Sequence, residues 1–178
     1  KAPPKPKIIG LALFSGTKMV GTADAPETKL YQMITSTFSS SVFTVSDPSD
    51  PLRQISARLS YLKDPVYDLK IVNGAPKVGV HLYLTCESLG MPEGQGSGLN
   101  TEAYLEAFAA AIKQKTESLL YRTAQEYRAD VFGIGKRFRR FFSTWEEWTN
   151  YRWDEKYPLS EFQVFVHIRA KTFGGGSH

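Results

Sequence analysis

Four groups of residues in this 178-residue chain have types suited to chemistry. Gly133-Ile134-Gly135-Lys136 sets two glycines beside a cation, the raw material of a phosphate-cradling loop. Such a loop needs a strand leading through glycines into a helix, with a further glycine at fixed spacing. Here position 138 is Phe and the preceding sequence is helical in pattern, so the favoured reading is a tight break between two helices. His81 and His167 fall on the wet faces of two period-two segments and could approach each other. A metal centre needs three or four ligands, and no Cys or Asp cluster accompanies them, so solvated or hydrogen-bonded histidines are expected. The neighbouring carboxylates Glu146-Glu147 and Asp154-Glu155 raise two-carboxylate hydrolysis. Adjacent residues on a helix diverge, whereas glycosidic pairs flank a bond about 5–10 Å across. Solvated charges, or local partners for Arg137, Arg139 and Arg140, are the preferred reading. No nucleophile elbow marks a Ser-His-Asp set. No catalytic, cofactor-binding or metal-ligating residue is assigned.

The fourth group, Lys136-Arg137-Phe138-Arg139-Arg140, lies in the most aromatic and most basic stretch, Asp130 to Pro158, which also holds all three tryptophans. Arginines among rings can hold phosphates while the rings stack on bases. The cluster is short, acidic residues follow it, and no RNA-binding motif is present, so no nucleic acid is expected as a partner. On a helix, Phe138, Phe141 and Phe142 would face inward and Lys136, Arg139 and Arg140 would face water. Those three cations are the candidate partner surface, and the rings mainly core.

These groups must be positioned by elements that the pattern also supplies. With 42% hydrophobic and 13% aromatic residues the chain can bury a core of its own. A net charge of +4 is too mild to select lipid or nucleic acid. The single cysteine, Cys86, allows no intrachain disulfide and reads as a small buried hydrophobe. No run of 18 apolar residues offers a membrane-spanning helix. Residues 1–7, Lys-Ala-Pro-Pro-Lys-Pro-Lys, read as an extended linker rather than a signal peptide, and the missing initiator Met suggests a piece of something longer. Residues 173–178, ending Gly-Gly-Gly-Ser-His, read as an appended tail outside the fold.

Between them, 8–172 form one domain. A hairpin is expected from Ile8–Phe14 and Met19–Thr22, followed by a helix capped by Asp24 with Pro26 and Glu27 in its first turn and an apolar face of Leu30, Met33, Ile34 and Phe38. Val42–Val45 is the next strand. Residues 53–61 alternate strictly, Lys63-Asp64-Pro65 interrupts, and Tyr67–Val72 continues to Asn73-Gly74, a strong hairpin signal. Val78, Val80, Leu82 and Leu84 then alternate. Residues 89–99, with four of the 14 glycines, form a mobile loop. Asn100 or Thr101 caps a long helix whose face is Leu105, Phe108, Ile112, Leu119, Thr123 and Tyr127, and Phe162–Ile168 closes the chain as a half-buried strand. Elements segregated in this way predict an α+β fold, a mainly antiparallel sheet packed against a long α-helix with additional shorter helices.

The motifs Asp130-Val131-Phe132-Gly133-Ile134-Gly135 and Trp153-Asp154-Glu155 with Tyr157-Pro158, and the closing strand with Ile168-Arg169, carry a resemblance. So do Gly10-Leu11-Ala12-Leu13-Phe14, Lys18-Met19-Val20-Gly21 and Val42-Phe43-Thr44-Val45 upstream. In this order they resemble the C-terminal domain of the Ger(x)C family, the lipoprotein C subunits of nutrient germinant receptors in endospore-forming bacteria. The likeness runs from Ile8 to Thr172; the 89–99 loop and Thr37–Ser41 are less family-like. Cys86, inside a strand, cannot be the family's N-terminal lipid-modified cysteine, so the chain is similar to a detached last domain.

The resemblance implies a non-enzymatic subunit domain without cofactors. It further implies a lipid anchor, absent from this fragment, holding the full protein on the outer face of the spore's inner membrane, beside transmembrane A and B subunits that trigger germination. The fragment itself is expected to be soluble. The alternative is a small-ligand or cell-wall-fragment binding module using a groove beside the 89–99 loop.

Overall fold

The structure is a computed structural model that describes residues 10–88 and 99–171. A short hairpin, β1 (Gly10–Ser15) and β2 (Lys18–Asp24), opens it as a separate two-stranded sheet. Helix α1 (Ala25–Ile34) starts where the sequence signals it. The Asp24 carboxylate accepts from the Glu27 N–H at 2.8 Å, and Glu27 accepts from the Asp24 N–H at 3.0 Å, a reciprocal cap. The helix stops at Ile34 rather than running on to Phe38, because Ser36 turns left-handed (φ 61°). Phe38 still reaches the core from the following turn.

The main sheet has the order β3 (Ser40–Asp47), β4 (Asp50–Val72), β5 (Ala75–Ser88), β6 (Glu161–Ala170). Asn73 and Gly74, both at positive φ (51° and 77°), make the tight turn between β4 and β5. The expected interruption at Lys63-Asp64-Pro65 is instead a pair of register shifts inside one continuous strand. Pro65 costs little there. The β3 partner ends at Ser60, so β4 has no neighbour on that side whose ladder a missing N–H would break. β6 pairs with β5 in parallel, so the sheet is mixed at one edge and antiparallel elsewhere. The antiparallel-hairpin route is closed to β6, since helix α2 (Leu99–Gln125) and the aromatic stretch lie between the two strands.

One face of the sheet is covered. Leu59, Leu69, Val78, Val80, Leu82, Leu84, Phe162 and Val164 pack with Phe108, Ile112, Leu119 and Leu120 of α2 and with Leu30, Met33 and Ile34 of α1. Each such fully buried side chain stabilises the fold by about 1.5–3 kcal/mol relative to exposure. Arg122 of α2 and Glu27 of α1 form an ion pair at 2.7 Å that joins the two helices. α2 ends at Gln125, so Tyr127, expected on its inner face, lies just beyond it. The mobile loop predicted for 89–99 lies, except for Leu99 at the start of α2, outside the described residues.

Candidate assembly surface

The aromatic stretch is built around Asp130. After α2 the chain turns at Arg128 (φ 49°), and the Asp130 carboxylate then accepts three hydrogen bonds. They come from the Ile134 N–H at 3.0 Å, the Gly135 N–H at 2.6 Å and the Trp153 indole N–H at 3.1 Å. Two of these donors are otherwise orphaned at the start of α3 (Ile134–Phe138), and the third ties that start to Trp153, 23 residues after Asp130 in its own short helix. Burial holds the Asp130 carboxyl above the usual carboxylate range, even though the Gly135, Ile134 and Trp153 donors pull the other way.

The two glycines have separate reasons. Gly133 sits at φ 71°, where a side chain would be strained, and makes the predicted break between helices. Gly135 makes room: a Cβ there would lie 2.5 Å from the Trp153 indole nitrogen. The Asp-x-x-Gly-x-Gly and Trp signals are therefore two halves of one joint. Behind it, Trp153 packs on Phe138 (4.9 Å between centroids) and Tyr157 (5.7 Å). The Tyr157 hydroxyl meets Thr123 of α2 at 2.8 Å. Burial pushes the Tyr157 phenol well above its ordinary range.

The outer half behaves otherwise. The expected single helix through 136–142 breaks at Phe138 into a tighter three-residue turn, Arg139–Phe141. Tightening brings residue 141 round over residue 138 (5.6 Å between rings) instead of into the core, and Phe141 is left 47% exposed. Helix α4 (Trp145–Tyr151), capped reciprocally by Thr144 and Glu147, places Trp148 and Tyr151 against Phe142 but leaves Trp145 69% exposed. The expectation that these rings are mainly core holds for Phe138 and Trp153, while Phe141 and Trp145 depart from it.

Of the three proposed surface cations, two face outward as expected and one does not. Lys136 and Arg140 are exposed, Arg140 lying over the Phe141 ring at 5.5 Å. Arg139 is turned back: its guanidinium donates to the Phe142 carbonyl at 2.6 Å and lies 5.6 Å from the Trp145 ring centroid. Arg137 stacks on Tyr67 at 4.0 Å. The neighbouring carboxylates are not partners of these arginines. Glu147 accepts from the Ser143 and Thr144 N–H groups, and Glu155 pairs with Arg152.

Elsewhere, the two histidines do meet, His81 Nδ1 and His167 Nε2 lying 3.3 Å apart on the sheet's outer face with Phe165 and Tyr83 stacked on either side. Among the described residues no group of three or more His, Cys, Asp or Glu side chains is placed to hold a metal, and no helix is long and apolar enough to cross a membrane. Cys86 is buried, as read, and burial pushes its thiol up to about 11. The cleft beside the start of α2, lined by Ile55, Cys86, Tyr104, Phe108 and Ala170, holds about 80 Å³, well short of the roughly 300 Å³ of ordinary ligand pockets.

Comparisons with known proteins agree with this architecture. A search of curated proteins gives no significant match. Among solved structures, the chain is similar to the one described as "Crystal Structure of the GerBC protein", with a TM-score of 0.73 and 18% sequence identity. The match covers 96% of this chain and 54% of that one, so the chain spans about half the length of that relative, and at this identity the likeness speaks for the fold. The family model described as "Spore germination B3/ GerAC like, C-terminal" matches residues 9–174, nearly the whole chain, including both halves of the Asp130–Trp153 joint. The chain therefore belongs to the Ger(x)C family, as its C-terminal domain.

Proposed function

We propose that this domain is the non-catalytic C-subunit domain of a spore nutrient germinant receptor, and that its task is to present a surface for receptor assembly. In this reading the full-length protein is lipid-anchored on the outer face of the spore's inner membrane, beside transmembrane A and B subunits. Family membership supports the receptor setting. The observation that supports the assembly role is Trp145, the most exposed of the three tryptophans, in a segment whose Phe141, Lys136 and Arg140 are exposed as well. Tryptophan and arginine are the side chains most enriched among interface residues that dominate binding energy.

The structure refines which residues to test. Arg139 supports the local backbone, so its loss would mix folding with assembly. Lys136→Glu combined with Arg140→Glu and Trp145→Ala changes exposed groups alone. In spores carrying this variant, the purified domain should keep its circular dichroism spectrum and melting temperature. Co-purification with the A and B subunits should fall, and nutrient-triggered germination should slow. Normal co-purification and germination would overturn the assembly role of this surface.

A further inference from the structure

An edge strand carries a row of unpaired backbone groups, and helix α2 deals with that row on β6 turn by turn. In the parallel pairing of β6 with β5, alternate residues of β6 turn their N–H and C=O outward. Phe162 and Val164 belong to the outward set. The Phe162 N–H donates to the Tyr121 hydroxyl at 3.1 Å, that hydroxyl returns to the Phe162 carbonyl at 3.3 Å, and the Val164 N–H donates to the Glu117 carboxylate at 2.9 Å. By the same alternation, Val166 and Ile168 also point outward.

The helical positions that face this row are spaced by four: Tyr121, Glu117, Lys113 and Ala109. α2 runs antiparallel to β6, so Lys113 and Ala109 come level with Val166 and the residues beyond it. Lysine has donors but no acceptor and cannot take an N–H; alanine has neither. Among the described residues no side chain hydrogen-bonds the outward groups of Val166 or Ile168. A groove of about 250 Å³ opens there, lined by Ala109, Ala110, Lys113 and residues 164–167. The other sheet edge differs: Lys29 crosses β3 and donates to the Val42 carbonyl at 2.8 Å.

We infer that the Val166–Ala170 half of β6 is a docking edge for an extended, acidic peptide segment of another polypeptide, which adds to the sheet as a further strand. The outward donors and acceptors of Val166 and Ile168 repeat at the spacing of an extended backbone. Ala109 and Ala110, with short side chains, line the groove beside these groups. Charge sets the acidic preference: Lys113 and Arg169 are exposed, and neither has an ion-pair partner among the described residues. This inference stands apart from the receptor reading and from the Trp145 rim.

The test extends the helix's own device. Ala109→Glu places a carboxylate one step further along the Tyr121–Glu117 series, where it can take the Ile168 N–H as Glu117 takes that of Val164. Lys113→Glu does the same for Val166 at an exposed site and reverses the local charge, which keeps the test intact if Ala109→Glu fails to fold. A random-peptide display library is selected against the 178-residue chain. The expected result is enrichment of acidic peptides with alternating β-branched residues, slowed amide exchange at Val166 and Ile168 on binding, and at least about tenfold weaker binding to either variant. Failure to enrich any peptide would overturn the inference, as would peptides that bind both variants as tightly as the parent chain. Self-association of the chain with the same amides protected would also overturn it, by making a second copy the occupant.

Discussion

The Asp130–Trp153 joint and the Phe141–Trp145 rim come from one aromatic, basic stretch, yet the carboxylate and indole N–H of the first are engaged and the Phe141 and Trp145 rings of the second are exposed. In the joint, one carboxylate collects three donors from two elements, and a glycine is required so that an indole can reach it. In the rim, arginines lie over ring faces at 5.5–5.6 Å, contacts worth about 0.5–1 kcal/mol each when exposed. The joint is over-determined, and the rim's rings are held by weak contacts. Rings of one stretch thus divide between interior and surface according to what later parts of the chain bring to meet them.

The sharpest way to break this contrast is to cut the joint. Asp130→Ala leaves the Ile134, Gly135 and Trp153 N–H groups without their acceptor, a loss of about 3 kcal/mol in unfolding free energy. Gly135→Ala, which drives a methyl into the Trp153 ring, is expected to cost about 1–3 kcal/mol. Chemical denaturation of both variants, followed by tryptophan fluorescence, measures the two. A change below 0.5 kcal/mol in either, the range of ordinary surface substitutions, would remove the joint from the fold's foundations.

The rim gives the opposite expectation. Trp145→Ala should alter domain stability by less than about 0.5 kcal/mol, while an interface built on that ring would lose about 2 kcal/mol or more of binding. Titration of the purified domain against detergent-solubilised A and B subunits reads the second number, and equal stability with equal binding would show that Trp145 is a bystander. Between the extremes lies Arg139, a rim residue whose guanidinium is already engaged. Arg139→Ala should cost about 1 kcal/mol of stability through the Phe142 carbonyl, whereas Arg140→Ala should cost almost nothing. Parallel thermal melts of the two variants check that asymmetry.

How far the contrast was legible depends on the range of the forces involved. Asp24, Glu27, Asn73 and Gly74 act through neighbours in sequence, and their cap and turn stand where the pattern places them. The alternation of Val78–Leu84 and Phe162–Val164 predicted the buried face but was silent on strand direction, because a period of two is the same for parallel and antiparallel partners. Pro65 read as a break because the rule for proline in strands assumes neighbours on both sides, and β3 stops short of it. Gly133 and Gly135 were legible as a break, but the second purpose of Gly135 depends on Trp153 arriving from later in the chain. Arg139 and Phe141 were misplaced for one local reason. A helix that tightens after Phe138 shifts each later side chain round the axis, and no residue in Arg-Arg-Phe announces the change.

The smallest effect, and the most specific to burial, is a difference of sign between two carboxylates. Glu27, paired with Arg122 and hydrogen-bonded to Asp24, titrates below the usual range in the folded chain. Its contribution to stability is present above the unfolded carboxylate pKa and is lost as pH falls through the lowered folded value. Asp130 titrates above the usual range because desolvation outweighs its three donors. The folded state therefore binds that proton more tightly than the unfolded state does, and the Asp130 contribution is fully present below the unfolded pKa and declines as pH rises through the raised folded value. Glu27→Gln and Asp130→Asn should accordingly change the pH dependence of unfolding free energy in opposite directions across the acidic range. Denaturation midpoints taken through that range for the parent and both variants decide it. If the two difference curves slope the same way, the donors around Asp130 outweigh its burial, and the joint is an electrostatic clamp rather than a carboxyl held in place by packing.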